Sequence, residues 1–436
     1  MTLSRRKFFS IAGATAATTL AASPLEGLLA RAAFGQTTPT TTGYGPLIAI
    51  PGAPLALPAG FQYREISRTG NIMADGNPVP NLHDGMGAFQ GPRGTTILIC
   101  NHEIGGTGTT GKVQVPSDLA YDPVCRGGTT NIVVNSNRQL VKQFASLGGT
   151  IRNCAGGITP WGSWITSEEN VDTPANGGGR IQFHGYNFEV PANANGPVKA
   201  VPLKAMGRFN HEAIAVDPAT GIVYETEDRG DGLFYRFIPN VPGKLAEGGR
   251  LEALVIGNAG SVNTATGFNV GQTWTNISWV EIPEPDPTID NVRVQGRNLG
   301  AARFARGEGI WYGNGEIYFC CTSGGPGNRG QVFRYIPASN TLDIFVDSPS
   351  TTALRAPDNI CIAPLNGDLI LCEDGANPNS IRGVTPQGQL YDLARNTFNG
   401  SEWAGACFSP DGKTMFVNMQ SPGITFAIWG PWETRI

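Results

Sequence analysis

From about residue 46 onward, apolar positions fall in short runs of roughly four to seven residues, rich in Val, Ile, Phe and Tyr. Gly, Pro, Asn or Asp bound each run, and helical periodicity is scarce. That is the signature of an all-β fold built from short strands and tight turns. Aligning the runs shows a repeat: "GTTILICNHE", "GSWITSEE", "GIVYETED", "GEIYFCCTSGG", "GDLILCEDG" and "GKTMFVNMQ". Each opens on a glycine turn, crosses an apolar centre and ends on polar or acidic residues. The centres, near Leu98, Ile165, Val223, Ile317, Ile370 and Phe416, are spaced by roughly 45 to 95 residues, against ~40–50 for a propeller blade. The expectation is an all-β, six-bladed β-propeller of four-stranded blades with inter-blade insertions, and a two-sheet sandwich is the competing architecture. The longest spacing holds the Pro-, Gly- and Asn-rich stretch from Asn240 to Gly300, which reads as an elaborated loop region.

Ahead of this body, residues 1–32 carry Arg5-Arg6, a weakly apolar Ala/Thr/Leu stretch and "ARA" at Ala30 to Ala32. They read as a twin-arginine export signal, which makes the export machinery a partner and the destination periplasmic or secreted. Residues 33–48 form a Thr/Pro-rich linker, and residues 49–436 a single propeller domain. No other run approaches the ~20 apolar residues of a membrane span, so no stable membrane anchor is expected.

Charge narrows the chemistry. Only 15% of the 436 residues are charged and the net charge is −4, so no basic face is offered to nucleic acid. A monomer is expected. The eight cysteines leave one or two disulfides open, but Cys100, Cys320, Cys361 and Cys372 sit in apolar runs and read as buried hydrophobes.

In a propeller, equivalent strand ends meet at one mouth of the central channel. The converging set is then Glu103, Glu168-Glu169, Glu227-Asp228 and Glu373-Asp374, with Thr322 and Asn418 to Gln420 from the remaining repeats. Further acids precede the repeats: Glu212 in "RFNHEAIAVDP", Arg306 and Glu308 in "ARGEGIWYGNG", and Asp358 in "APDNICIAP". Acids packed together without matching bases need raised pKa values or bound cations, and hard oxygen donors suit Ca²⁺, Mg²⁺ or Fe³⁺. Cys154, beside a Gly-Gly pair, would add a softer ligand. Singly, each motif has an ordinary structural reading: an "EDG" is commonly a solvated turn, and His102 and His211 read as hydrogen-bonded structural residues. The recurrence carries the case for metal.

"CAGGITPWGSWITSEE", "NHEAIAVDPATGIVYETEDRGDGLFYRFIP", "APDNICIAPLNGDLILCEDG" and "EWAGACFSPDGKTMFVNMQSPGITFAIWGPW" together resemble the PhoX family of bacterial alkaline phosphatases. The resemblance implies a channel cluster of two oxo-bridged Fe³⁺ and up to three Ca²⁺ that hydrolyses phosphate monoesters by attack of a metal-held oxygen. It makes Cys154 an iron ligand and Glu169 an iron or bridging ligand, with Glu308 also on metal. Glu103, Glu212 and Glu227 would complete the shells, with Glu168, Asp358, Glu373 and Asp374 as further metal candidates. Arg306, aided by Arg229, would hold the substrate phosphate. The chain is shorter than the best-known members, which puts substrate range in question. The alternatives are a calcium-dependent propeller lactonase or esterase, and a non-catalytic calcium-stabilised binding propeller.

Overall fold

The computed structural model describes residues 42–258 and 260–435. The twin-arginine segment and most of the linker lie outside the described residues.

Six antiparallel sheets surround one channel. The innermost strands are His83–Gln90, Asn153–Ile158, His211–Val216, Gly307–Gly313, Pro357–Ile362 and Trp403–Phe408, and they define blades 1 to 6. Each inner strand packs against the next, and that of blade 6 returns to that of blade 1, which closes the ring. The protein is a six-bladed β-propeller. The six repeated segments seen in the sequence are the second strands of the blades, from Thr96–His102 in blade 1 to Thr414–Met419 in blade 6.

Blade size varies where four strands were expected throughout. Blade 2 has three strands, blades 3 and 4 have five, and blade 5 has six. The stretch from Asn240 to Gly300 is less loop-like than its composition suggests. It supplies Gly249–Ile256 and Ile277–Glu281 to blade 3, Thr273–Trp274 to blade 4, and a short helix at Val292–Asn298. Leu251, Ala253, Leu254 and Ile277 from this stretch are buried against neighbouring strands.

The two ends of the body meet in blade 6. Its outer strand is Gln62–Arg68, which pairs antiparallel with Ile424–Trp429. Leu55–Pro58 likewise adds to the outer edge of blade 5 through Asn396. Each end covers a sheet edge that would otherwise expose unpaired backbone groups. The core lies between blades: Trp403, Met419, Phe426 and Trp432 fill the junction of blades 5 and 6, and Phe234, Phe319 and Phe333 stack between blades 3 and 4.

All eight cysteines are free thiols. Six of them, Cys100, Cys320, Cys321, Cys361, Cys372 and Cys407, pack inside these apolar clusters, and none of the eight is paired in this structure. No helix among the described residues is long and apolar enough to cross a membrane.

Candidate metal centre

The acids converge at one mouth of the channel, and three structurally equivalent positions per blade account for the whole cavity lining. The first position is the second residue of each inner strand: Asp84, Cys154, Glu212, Glu308, Asp358 and Ala404. Blades 1 to 5 break register just there, between His83 and Met86, Asn153 and Gly156, His211 and Ile214, Gly307 and Ile310, and Pro357 and Ile360. Such bulges set two residues against one and re-aim a side chain. Blade 6 is different: Ala404 stays paired with Asn418 and the irregularity falls after it. Its position therefore presents only a methyl group.

Small residues follow several of these positions and let the inner strands close in. A Cβ on Gly85 would stand 2.5 Å from the Ala155 Cα, and one on Gly405, which has φ +62°, would stand 2.3 Å from the Asp84 carbonyl oxygen.

The second position is the residue just after each second strand: Glu103, Glu169, Asp228, Thr322, Asp374 and Gln420. The third precedes each inner strand: Leu82, Arg152, Asn210, Arg306, Ala356 and Glu402. Backbone N–H groups of the second set donate to carbonyls of the third in every blade, from Glu103 to Leu82 through Gln420 to Glu402. The resulting cavity, about 110 Å³, is lined by members of these three sets alone.

The sequence-derived candidates sort cleanly on this frame. Cys154, Glu103, Glu169, Glu308, Asp358, Asp374 and Arg306 all line the cavity. Glu212 is buried directly behind it, grouped with Glu308 and Asp358. Glu168, Glu227 and Glu373 do not join them. Each is the last residue of a second strand, and side chains alternate along a strand, so each faces away from its neighbour at the mouth. Glu168 accepts from the backbone N–H groups of Ile151 and Gly185 at 3.0 and 2.9 Å and from His184 at 2.7 Å. Glu227 accepts from the Leu233 N–H and the Tyr235 hydroxyl. Glu373 accepts from the Arg355 and Ser380 N–H groups and pairs with Arg382. These three tie down the loops of their blades. Arg229 points to Asp290 and does not line the cavity. His102 and His211 are fully buried and hydrogen-bonded within the blades, His102 to the Asn81 carbonyl and Thr130 and His211 to the Gly207 carbonyl.

Several cavity residues carry no motif of their own. Asp84, in "HDGMG", and Glu402, in "SEWAG", become visible only when the inner strands are superposed. Arg152 occupies in blade 2 the place that Arg306 holds in blade 4. Both adopt left-handed backbone conformations, with φ 47° and 54°, which non-glycine residues rarely do. Arg152 bonds Glu103 Oε1 at 2.8 Å and Glu169 Oε2 at 2.6 Å. Arg306 bonds Asp228 Oδ1 at 2.8 Å and lies 2.7 Å from Glu308 Oε1. Gln420 donates to Asp84 Oδ2 and Glu103 Oε2 at 2.9 and 2.8 Å.

Two arginines and one amide cannot neutralise this many acids. Burial first, then mutual repulsion, pushes Asp84, Glu212 and Glu308 well above the usual carboxylate range. Burial also lifts the Cys154 thiol, with Asp84 and Glu212 adding to the effect. Both carboxylate oxygens of Glu212 are buried without a hydrogen-bond partner, a costly arrangement unless a cation or proton is held there. Four donor groups stand close enough to share ions: Glu103, Cys154 and Glu169; Asp84, Glu103 and Glu402; Glu212, Glu308 and Asp358; and Asp358, Asp374 and Glu402. The donor chemistry fits metal.

Residues 42–423 match the family described as alkaline phosphatase PhoX. The chain belongs to that family. It is therefore a phosphoric monoester hydrolase acting on small phosphate esters, in a metal-dependent family, and it carries candidate metal-binding groups. Among solved structures, Pseudomonas fluorescens PhoX in complex with vanadate, a transition state analogue, shares the fold. It is 18% identical with a TM-score of 0.66, over 91% of this chain and 98% of that one. A gluconolactonase from Xanthomonas campestris, XC5397, aligns over 89% of this chain and 98% of its own at 12% identity and a TM-score of 0.44. A protein of unknown function from Dyadobacter fermentans aligns over 88% of this chain and 100% of its own at 9% identity and a TM-score of 0.47. No curated protein matches the chain.

Proposed function

We propose that this PhoX-family phosphatase is exported and works through a mixed iron–calcium centre at the channel mouth. The observation that carries the metal assignment is Glu212, whose two buried oxygens lack any partner inside a shell of Glu308 and Asp358. Donor type then divides the ions. The group containing Cys154 mixes a thiolate with carboxylates and suits Fe³⁺, while the all-oxygen groups around Asp84, Asp374 and Glu402 suit Ca²⁺. When bound, such ions act as Lewis acids that activate the nucleophile and neutralise charge on the phosphoryl oxygens.

The chain's own residues supply recognition and alignment. Arg306 and Arg152 sit on equivalent positions of blades 4 and 2 and are each about a third to two-fifths exposed, at 36% and 42%. Their guanidinium groups offer paired N–H donors to a phosphate while their other donors stay anchored on Asp228, Glu103 and Glu169. The left-handed turn at both arginines is shared by Leu82 and Ala356 at the equivalent positions of blades 1 and 5. Gln420 fixes Asp84 and Glu103 with one amide nitrogen. Export rests on Arg5-Arg6 and the segment after it.

The test is hydrolysis of p-nitrophenyl phosphate by purified protein, with elemental analysis of the same sample. Iron and calcium together with phosphatase turnover are expected. Lactone hydrolysis without phosphate release, or calcium without iron, would sink the proposal.

A further inference from the structure

A second group of donor side chains converges away from the channel mouth. Asp122 and Cys125 lie on the long connection between His102 and Gly127 in blade 1, and His184 lies on the connection between Glu168 and Asn187 in blade 2. All three are fully buried. His184 Nε2 stands 3.5 Å from Cys125 Sγ and 3.5 Å from Asp122 Oδ2. The three donor atoms lie within 4.8 Å of one another.

The spacing is that of ligands around a small tetrahedral ion. With N, O and S donors at about 2.0–2.3 Å from the centre, the N–S and N–O edges come to about 3.4–3.6 Å. The far side of the imidazole is fixed as metal-bound histidines are, since Nδ1 sits 2.7 Å from Glu168 Oε1. Glu168 is itself locked by three backbone N–H groups, those of Ile151, Gly185 and Tyr186. Cys125 also differs from the other fully buried thiols. The six already named pack in apolar clusters, whereas Cys125 belongs to none of them and faces an imidazole.

We propose that Asp122, Cys125 and His184 bind one divalent cation of the zinc class, with a water at the fourth corner, separately from the channel centre. Mixed S, N and O donors suit Zn²⁺ and disfavour Ca²⁺ and Mg²⁺, which take oxygen. The ion would clamp together the two connections that begin at Glu103 and Glu169, and so brace the rim of the mouth. Without a cation, a proton on Nε2 takes its place: burial alone would lower the His184 pKa, but Glu168 and Asp122 push it up to about 12. Metal and proton compete for the same atom.

Dialysis against Zn²⁺ followed by elemental analysis tests the assignment. One zinc should remain per chain in the wild type and in Cys154→Ala, which lacks the channel thiolate. Cys125→Ser and Asp122→Asn, both close to isosteric, should each weaken zinc retention at least tenfold, with folding checked by circular dichroism. Zinc kept in full by both variants, or zinc that departs with Cys154→Ala, overturns the proposal. Should the two isosteric variants fail to fold, X-ray absorption at the zinc edge of Cys154→Ala decides: one sulfur near 2.3 Å is expected, and a shell of nitrogen and oxygen alone refutes it.

Discussion

Exchanging Glu373 for Gln and, in a separate protein, Asp374 for Asn sets two neighbouring acids against each other. Glu373 is fully buried, accepts the Arg355 and Ser380 N–H groups at 3.0 and 2.9 Å, and bonds Arg382 Nε at 2.9 Å. Gln keeps the shape but loses the charge, and its amide turns a donor toward one of those donors. Removing one partner of a buried ion pair costs about 3–5 kcal/mol. Arg382 still has Asp392, which places Glu373→Gln toward the lower end of that range. An unfolding entropy of about 0.8 kcal/mol/K for roughly 400 residues converts 3–5 kcal/mol into a Tm loss of about 4–6 °C. Metal content should not change. Asp374 instead shares its surroundings with Asp358 and Glu402, so Asp374→Asn relieves repulsion in the metal-free fold. It should leave the metal-free Tm unchanged or raised while weakening metal binding at least tenfold, with activity falling in step. Differential scanning calorimetry and elemental analysis on both variants read the two effects. Metal lost from Glu373→Gln at an unaltered Tm, or full metal and rate in Asp374→Asn, would refute the placement of these acids on opposite faces of the strand.

Cys154→Ala should lose iron and activity together, read by elemental analysis and p-nitrophenyl phosphate turnover; full iron content would remove the thiolate from the centre. Arg306→Ala should leave metal content intact and raise KM for phosphate esters about tenfold or more, whereas an unchanged KM would transfer the phosphate to Arg152. In chelated protein, burial first and then Asp374 push Asp358 up to about 7, and burial foremost carries Glu169 to about 8 despite Arg152. The folded metal-free chain therefore holds protons that the unfolded chain releases near pH 4, so stability should fall as pH rises from about 4 to 8. Melting curves at pH 5 and pH 8 check the sign, and a higher metal-free Tm at pH 8 would contradict it.

The propeller was legible because its second strands repeat a glycine turn, an apolar centre and a polar or acidic end, a pattern that survives without sequence identity between blades. Three of the acids at the channel mouth were legible to within one residue. Glu168-Glu169, Glu227-Asp228 and Glu373-Asp374 are adjacent pairs at strand ends, and only strand register decides which member faces the channel. Asp84 and Glu402 escaped notice because a lone acid beside a glycine or tryptophan looks like any turn. Their signal is positional: Asp84 appears once "HDG", "NCA", "HEA", "GEG" and "PDN" are aligned as starts of inner strands, and Glu402 as the residue just before the sixth, "WAG". Arg152 could be found the same way, as the counterpart of Arg306. The blade sizes were not legible, because strands such as Thr273–Trp274 are only two residues long and owe their state to the sheet they join.

Pairing of Gln62–Arg68 with Ile424–Trp429 also sets an order of events in biosynthesis. The last blade cannot be completed until the C-terminal strands have left the ribosome and found a segment made hundreds of residues earlier. Gln420 and Glu402 reach the mouth from that same blade, beside Asp84 and Glu103 from the first. A nascent chain can thus hold most of the acids and still lack the closed ring that brings them together. Ion acquisition should come after synthesis is finished, as a post-translational step on an already circular fold.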